Sequence, residues 1–301
     1  MRLCEDRVVI VTGAGRGLGR AYALELARQG AAVVVNDLGV SNHGEDTGER
    51  PAEVVVREIE AAGGRALANF CDVADWDATG EMVRQTIETF GGLHAVVNNA
   101  GFVRDRMFVS ATPDEWDAIM RVHLRGHFCT ARHAVEHWRG EAKAGRSVDA
   151  RIINTTSGAG LHGSIGQTAY ATAKGGIAAM TLVQAAELAR YGITANALAP
   201  NARTRMTEDA FGDAMNRKDG DFDIYAPENT APLVAWLCSA ASEGVTGEVF
   251  ELLGGNLRLC LGWSDGPSED AKSRWDADKI GAAVARLKAD RPAAKPVWGS
   301  A

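Results

Sequence analysis

Short apolar runs rich in valine and isoleucine recur along the chain: "RVVIVTG", "AAVVVND", "RALANFCDV", "HAVVNNAG", "ARIINTTS", "ITANALAP" and "GEVFELLGG". Amphipathic stretches of helical character separate them. Parallel strands covered on both faces read as continuous hydrophobic runs, and the helices between them supply the crossovers. The succession therefore predicts an α/β fold, a single Rossmann-type doubly wound parallel sheet of about seven strands with helices on both faces. Two polar stretches break the rhythm, "GVSNHGEDTGERP" after the second run and the segment from Asn201 to Pro227 after the sixth, and both read as loops over a site. Residues 261–301 fall outside the sheet pattern and predict a C-terminal helical extension with flexible ends. Residues 1–260 then make one domain, which includes the substrate loop 201–227. No internal repeat or long linker divides it.

The bulk properties exclude several classes of function. A length of 301 residues with 46% hydrophobic and 24% charged positions suits one large domain with a sizeable core. The longest apolar runs fall far short of the roughly 18 residues that cross a bilayer. The N-terminal residues offer no signal-peptide stretch. The expectation is a cytoplasmic protein with no membrane partner. A net charge of -7 disfavours nucleic acid as a partner. The five cysteines, Cys4, Cys71, Cys129, Cys238 and Cys260, lie far apart with no CxxC pair, which argues against disulfides and zinc sites. No metal is expected.

Chemistry first enters after the opening strand, in "TGAGRGLG". Gly13, Gly17 and Gly19, with Arg16 and Leu18 between them, stand at a strand-to-helix turn. Glycines there let backbone amides approach a pyrophosphate at the positive end of a helix. Asp37 ends the second strand, 18 residues past Gly19. A carboxylate at that place accepts hydrogen bonds from ribose hydroxyls and repels a 2'-phosphate, so NAD is favoured over NADP. Arg16 pulls the other way, because a loop arginine can pair with such a phosphate; a solvated surface arginine is the plainer reading.

A second constellation lies in "GQTAYATAK", where Tyr170 precedes Lys174 by one helical turn. Residues four apart share a helix face, and an ammonium near a phenol favours phenolate. Ser157 ends the strand "RIINTTS" 13 residues upstream, so a strand tip can present its hydroxyl beside that helix. Taken singly, these residues also fit an exposed Tyr-Lys pair and a serine in a turn.

In combination and order, these motifs resemble the short-chain dehydrogenase/reductase family over residues 6 to 255. The resemblance adds Asp72 and Val73 of "CDV" beside the adenine, and Asn99, Ala100 and Gly101 of "NNAG" closing the middle strand. It makes Tyr170 the general acid/base, gives Ser157 the polarisation of the reacting oxygen, and lets Lys174 also bind the nicotinamide ribose. Two places depart from the family pattern. His123 in "RVHLRGHF" stands where an asparagine is usual, and is kept as an auxiliary catalytic candidate beside the plainer reading of a packed histidine. Pro200-Asn201 replaces the usual Pro-Gly, so Thr204 is taken as the threonine contacting nicotinamide, with Thr207 next.

The segments "VVVNDLG", "NNAGFVRDRMF", "RVHLRGHF", "GQTAYATAK", "APNARTRMT" and "PLVAWLC" together resemble one branch of the family. That branch is the (3R)-hydroxyacyl-CoA dehydrogenase part of peroxisomal multifunctional enzyme type 2, with its bacterial single-domain relatives. The resemblance implies NAD-dependent oxidation of a secondary alcohol carried on an acyl-CoA thioester, in a β-oxidation-like pathway of lipids or sterol side chains. Arg104, Arg106, Arg203 and Arg205 lie in loops suited to CoA phosphates. His162 and Gln167 fall where the family places substrate-pocket residues. Met206, Phe211, Met215, Phe222 and Tyr225 offer either an apolar lid or ordinary core. A homodimer or homotetramer is expected through the helices near 107 to 138 and 168 to 190. Three other readings stay open: a hydroxysteroid or other secondary-alcohol dehydrogenase without CoA, a non-catalytic nicotinamide-binding regulator, and a scaffolding protein.

Overall fold

The computed structural model describes residues 2–39, 48, 50–203, 222–290 and 295–299. Its strands are β1 (Val8–Thr12), β2 (Ala32–Asn36), β3 (Arg65–Asn69), β4 (Ala95–Asn98), β5 (Ala150–Thr155), β6 (Ile193–Asn201), β7 (Val249–Leu253) and β8 (Asn256–Leu259). They form one sheet in the order β3-β2-β1-β4-β5-β6-β7-β8. All neighbours run parallel except β7 and β8. The eighth strand is one more than the apolar runs predict. It follows β7 after Gly254-Gly255, and all four of its residues are exposed. A strand wet along its whole length leaves no apolar run to read.

The described helices are α1 (Gly17–Arg28), α2 (Pro51–Ala61), α3 (Trp76–Phe90), α4 (Pro113–Ile119), α5 (Gly126–Lys143), α6 (Gly158–His162), α7 (Thr168–Leu188), α8 (Ala231–Cys238) and α9 (Ala277–Asp290). Their ends follow local chemistry. Asp75 caps α3 by accepting from the Ala78 amide, and Gly91 ends it in the left-handed conformation at φ 82°. Thr112 and Glu115 form a reciprocal capping box on α4.

The sheet separates two apolar layers. Val9, Val11, Val33, Val35, Val97 and Leu198 pack with α1, α2 and α8 on one face. Ile10, Val34, Val96, Ile152 and Ala195 pack with Met82, Trp138 and Ala185 on the other. Five consecutive buried residues in β1 and again in β2 are what a strand with both faces covered requires. Burying each valine or isoleucine side chain among them contributes about 1.5–3 kcal/mol. Among the described residues no helix is long and apolar enough to cross a membrane, and all five cysteines are free thiols.

The strand order reverses between β1 and β4, which run side by side while their connections leave in opposite directions. A doubly wound sheet opens a crevice beyond the carboxyl ends of its strands at such a point. Thr12-Gly13 and Asn98 to Gly101 are the strand ends that border it.

Candidate active site

The cofactor side is held together by backbone geometry. Gly13 has φ +62°, and a Cβ there would lie 2.8 Å from Ala100 Cα. A Cβ on Gly19 would come within 2.0 Å of the Gly13 carbonyl oxygen, so only hydrogen fits. The Thr12 hydroxyl accepts from the amides of Asn99 (2.9 Å) and Ala100 (3.1 Å), while Asn99 Nδ2 donates to the carbonyls of Thr12 (3.0 Å) and Gly13 (3.2 Å). The loop after β1 and the loop after β4 are thus one unit. Asp37 joins it from β2, its Oδ2 accepting from the Gly15 amide and its Oδ1 from the Gly39 amide, both at 2.9 Å. Leu18 packs against the core. Arg16 precedes α1 as an extended residue whose side chain does not cap the helix, and no acidic residue occupies the first turn. A cradle closed to any side chain, a helix N-terminus without a side-chain cap, and a carboxylate at the next strand end fit a dinucleotide.

Asp72 accepts from Arg121 Nη2 at 2.5 Å and from the Ala74 amide at 2.9 Å. Val73 is buried, and a Cβ on Gly126 would meet its Cγ2 at 2.7 Å. Pro200 lies in β6 opposite Leu252. Thr204, Thr207 and Arg205 lie outside the described residues, as do Met206, Phe211 and Met215.

Ser157, Tyr170 and Lys174 come together at the tip of β5. Ser157 is the N-cap of α6, where its hydroxyl accepts from the Ala159 amide (3.2 Å), and it also hydrogen-bonds Tyr170. The close packing of α6 on α7 depends on Gly160, since a Cβ there would lie 2.6 Å from Lys174 Cβ. Lys174 is buried and donates from Nζ to the Thr155 carbonyl at 2.6 Å. Its ammonium stands over the Tyr170 ring, 5.6 Å from the centroid.

This geometry corrects the expectation that Lys174 depresses the phenol. Burial pushes the Tyr170 phenol up to about 12, and the Ser157 hydrogen bond opposes that rise. Burial pulls Lys174 down to about 7. Desolvation works against the charged form of each group, and an ammonium turned toward Thr155 does not offset it.

His123 lies in a π-helical turn, Met120–Arg125, between α4 and α5. Such turns add a residue to the helix and recur at functional sites. The ring is buried, and its Nε2 lies 2.6 Å from the Phe102 carbonyl oxygen and 3.1 Å from the Phe102 amide. It meets the Tyr170 ring edge-on, at 5.3 Å between centroids and 88° between planes. A Cβ on Gly101 would lie 2.2 Å from its Cε1. Burial, then the nearby Lys174 charge, lowers His123 to about 3, so the imidazole is neutral at any ordinary pH. The side chain therefore supports Tyr170 as a neutral ring against its edge. His127, four residues on, was not legible as a site residue. It is buried beside the carbonyls of His123 and Thr155, its Nε2 has no partner, and burial holds it well below the ordinary histidine range. Its sequence signal is only its spacing from His123.

On the substrate side, Gln167 donates to both oxygens of Asp105 (3.1 and 3.0 Å), and the Arg106 amide donates to the Gly166 carbonyl (2.7 Å). Arg106 pairs with Glu115 at 2.9 Å, and Arg203 with Asp223 at 2.5 Å. Arg104 stands over the Phe102 ring. Each of these arginines has a neighbour within the chain. His162 ends α6 with Nε2 3.1 Å from Lys295 Nζ. Phe222 is exposed and Tyr225 half-buried. Among the described residues, no group of three or more histidines, cysteines and carboxylates is placed to hold a metal ion.

Comparison with known proteins bears on this geometry. The family model described as short chain dehydrogenase matches residues 7–214. Hydroxyacyl-CoA dehydrogenase ChsB1 of Mycobacterium tuberculosis is 45% identical over 259 residues, covering 84% of this chain and 79% of that protein. Peroxisomal multifunctional enzyme type 2 of Mus musculus is 42% identical over 248 residues, which span 82% of this chain and 32% of the mouse protein. A crystal structure of a short chain dehydrogenase from Mycobacterium avium superposes with a TM-score of 0.90 at 52% identity, over 99% of this chain and 100% of that one. Members of this family work with a nicotinamide cofactor. The chain belongs to the short-chain dehydrogenase family and is an oxidoreductase acting on CH–OH groups.

Proposed function

We propose that the protein is an NAD-dependent (3R)-3-hydroxyacyl-CoA dehydrogenase, oxidising its substrate to the 3-ketoacyl-CoA in the cytoplasm, within a β-oxidation-like pathway of lipids or sterol side chains. The observation that carries the chemistry is the convergence of Ser157, Tyr170 and Lys174 at the tip of β5 beside the glycine cradle. Asp37, directly after β2 and bonded to the Gly15 amide of the glycine loop, supports NAD, because a carboxylate beside that loop would repel a 2'-phosphate. The acyl-CoA substrate is supported by the names of the relatives, a hydroxyacyl-CoA dehydrogenase and a peroxisomal multifunctional enzyme. Exposed Phe128 on α5 and exposed Leu182 and Val183 on α7 support a homodimer or homotetramer.

Gly13, Gly17 and Gly19 would hold the pyrophosphate, Asp37 the adenine ribose, Asp72 and Val73 the adenine surroundings, and Asn99 to Gly101, Lys174, Pro200 and Thr204 the nicotinamide half. When bound, the nicotinamide supplies the hydride acceptor. Ser157 donates a hydrogen bond to the reacting oxygen and fixes it beside Tyr170. Tyr170 takes the alcohol proton during oxidation and returns it during ketone reduction. A phenol at about 12 is protonated at neutral pH, so oxidation speeds up as pH rises and ketone reduction slows.

The test follows reduced-nicotinamide absorbance on mixing protein and NAD with (3R)-3-hydroxyacyl-CoA thioesters, their (3S) epimers and free hydroxysteroids. Turnover confined to the (3R) thioesters is expected, with Tyr170→Phe slower by about 10²- to 10⁴-fold. Turnover of CoA-free alcohols alone would replace the acyl-CoA reading with that of a hydroxysteroid or other secondary-alcohol dehydrogenase.

A further inference from the structure

The segment between Ser157 and Tyr170 is covered by the far end of the same chain. Residues 295–299 lie along it, and Trp298 forms a parallel bridge with Ser164. The Ile165 amide donates to the Trp298 carbonyl at 2.9 Å, and the Trp298 amide donates to the Gly163 carbonyl at 3.2 Å. Side chains fit as closely as the backbone does. A Cβ on Gly158 would lie 2.6 Å from Trp298 Cη2 and 2.7 Å from Cζ2, so the indole rests directly on the residue after the catalytic serine. A Cβ on Gly163 would meet both methyls of Val297 at 3.3 Å. Lys295 reaches His162 at 3.1 Å and Glu251 of β7 at 3.7 Å.

These contacts occupy the wall where the sequence places substrate-pocket residues. His162 faces Lys295 there, and the tail stands over the N-terminal end of α6. Trp298 keeps 37% of its surface open, and its ring lies against Gly158, the residue that follows Ser157. A tryptophan whose backbone is held by two hydrogen bonds and whose indole is seated on a glycine makes a wall beside the catalytic serine, and an aromatic wall near a reacting carbon limits the bulk of the group attached to it.

We infer that Trp298, held on Gly158 by the 163–165 bridge, is a specificity-determining residue that sets how bulky an acyl group can be accepted beside Ser157. The inference rests on the acyl-CoA reading above. The glycine and the tryptophan are complementary parts of one device: Gly158 leaves the room that the ring fills.

The test compares the full-length protein with Trp298→Ala, Gly158→Ala and the double variant. It uses a series of (3R)-3-hydroxyacyl-CoA thioesters graded from short straight chains to ring-bearing acyl groups. For Trp298→Ala, the ratio of kcat/KM for the bulkiest thioester to that for the shortest rises about tenfold, while the Kd for NADH is unchanged. Gly158→Ala shifts the ratio in the same direction by pushing the ring away. Added to Trp298→Ala, it changes the ratio no further. An unchanged ratio in Trp298→Ala, or an equal loss on every thioester with a lower Tm, overturns the inference and leaves the tail a structural strap. A Gly158→Ala ratio equal to wild type also overturns it. If the wild-type protein turns over no thioester, the acyl-CoA reading fails instead. The same ratio, measured on CoA-free secondary alcohols of graded bulk, then decides the role of Trp298.

Discussion

The two halves of the site are built differently. On the cofactor side, the contacts join strand ends that the sheet already places side by side: Thr12 with Asn99 and Ala100, and Asp37 with Gly15. On the substrate side, the contacts join segments outside the sheet, two of them held by isolated bridges: Asp105 with Gln167, Arg203 with Asp223, and Gly158 with Trp298. The difference teaches that the fold itself supplies one half, whereas the other is assembled from loops and the tail. A change in the first half should damage cofactor binding as a whole, and a change in the second should alter only what is accepted.

Gly19→Ala breaks that comparison most sharply. Its new methyl would collide with the Gly13 carbonyl, a backbone group that cannot swing away, and such overpacking costs about 1–3 kcal/mol. NADH affinity, followed by fluorescence titration, should fall about tenfold to a hundredfold, while selectivity among substrates at saturating cofactor should stay the same.

Lys174 sits between the halves and gives a pH test. Its group titrates near 10.5 in the unfolded chain and at about 7 in the fold. Between those values the unfolded chain holds a proton that the folded one does not, so stability rises with pH, by at most roughly 1.4 kcal/mol per unit. Burial raises the Tyr170 phenol and the Cys4 thiol, which reverses the trend at higher pH, so the useful window is pH 7 to 9. Urea midpoints of the wild type should climb across that window, and those of Lys174→Met should climb less. Equal slopes would mean that Lys174 stays charged in the fold.

The smallest effect belongs to the substrate side. Arg106→Ala removes an ion pair whose arginine is more than half exposed, worth at most about 1 kcal/mol. Its Tm should scarcely move, so a rise in KM for a CoA thioester alone would show that Arg106 meets substrate phosphates.

Legibility in the sequence follows the same division. The glycine loop, Asp37 and the "NNAG" turn could be read because each proposed role is local and attached to a strand with an apolar run. Ser157, Tyr170 and Lys174 could be read because strand end and helix spacing place them. The sense of the Tyr170 shift could not, because it depends on desolvation and on where the Lys174 ammonium points. β8 was hidden by its exposure, and His127 by the commonness of histidine in a helix. The docking of Trp298 on Gly158, 140 residues away in sequence, could not be read, because no local pattern exists for it.

The π-helical turn at Met120–Arg125 takes up one residue more than regular helix would over the same path. Each residue of a regular helix advances about 100° around its axis, and the wide turn absorbs that rotation, so α4 and α5 keep the faces they would have without the extra residue. Deleting one residue there, for instance Leu124, would let the path continue as ordinary helix with Cys129, Ala131 and Ala134 still in the core. What would go is the widened turn itself, in which His123 lies over Gly101. The extra residue thus gives one side chain a setting that regular helix does not offer, at no cost to the packing on either side.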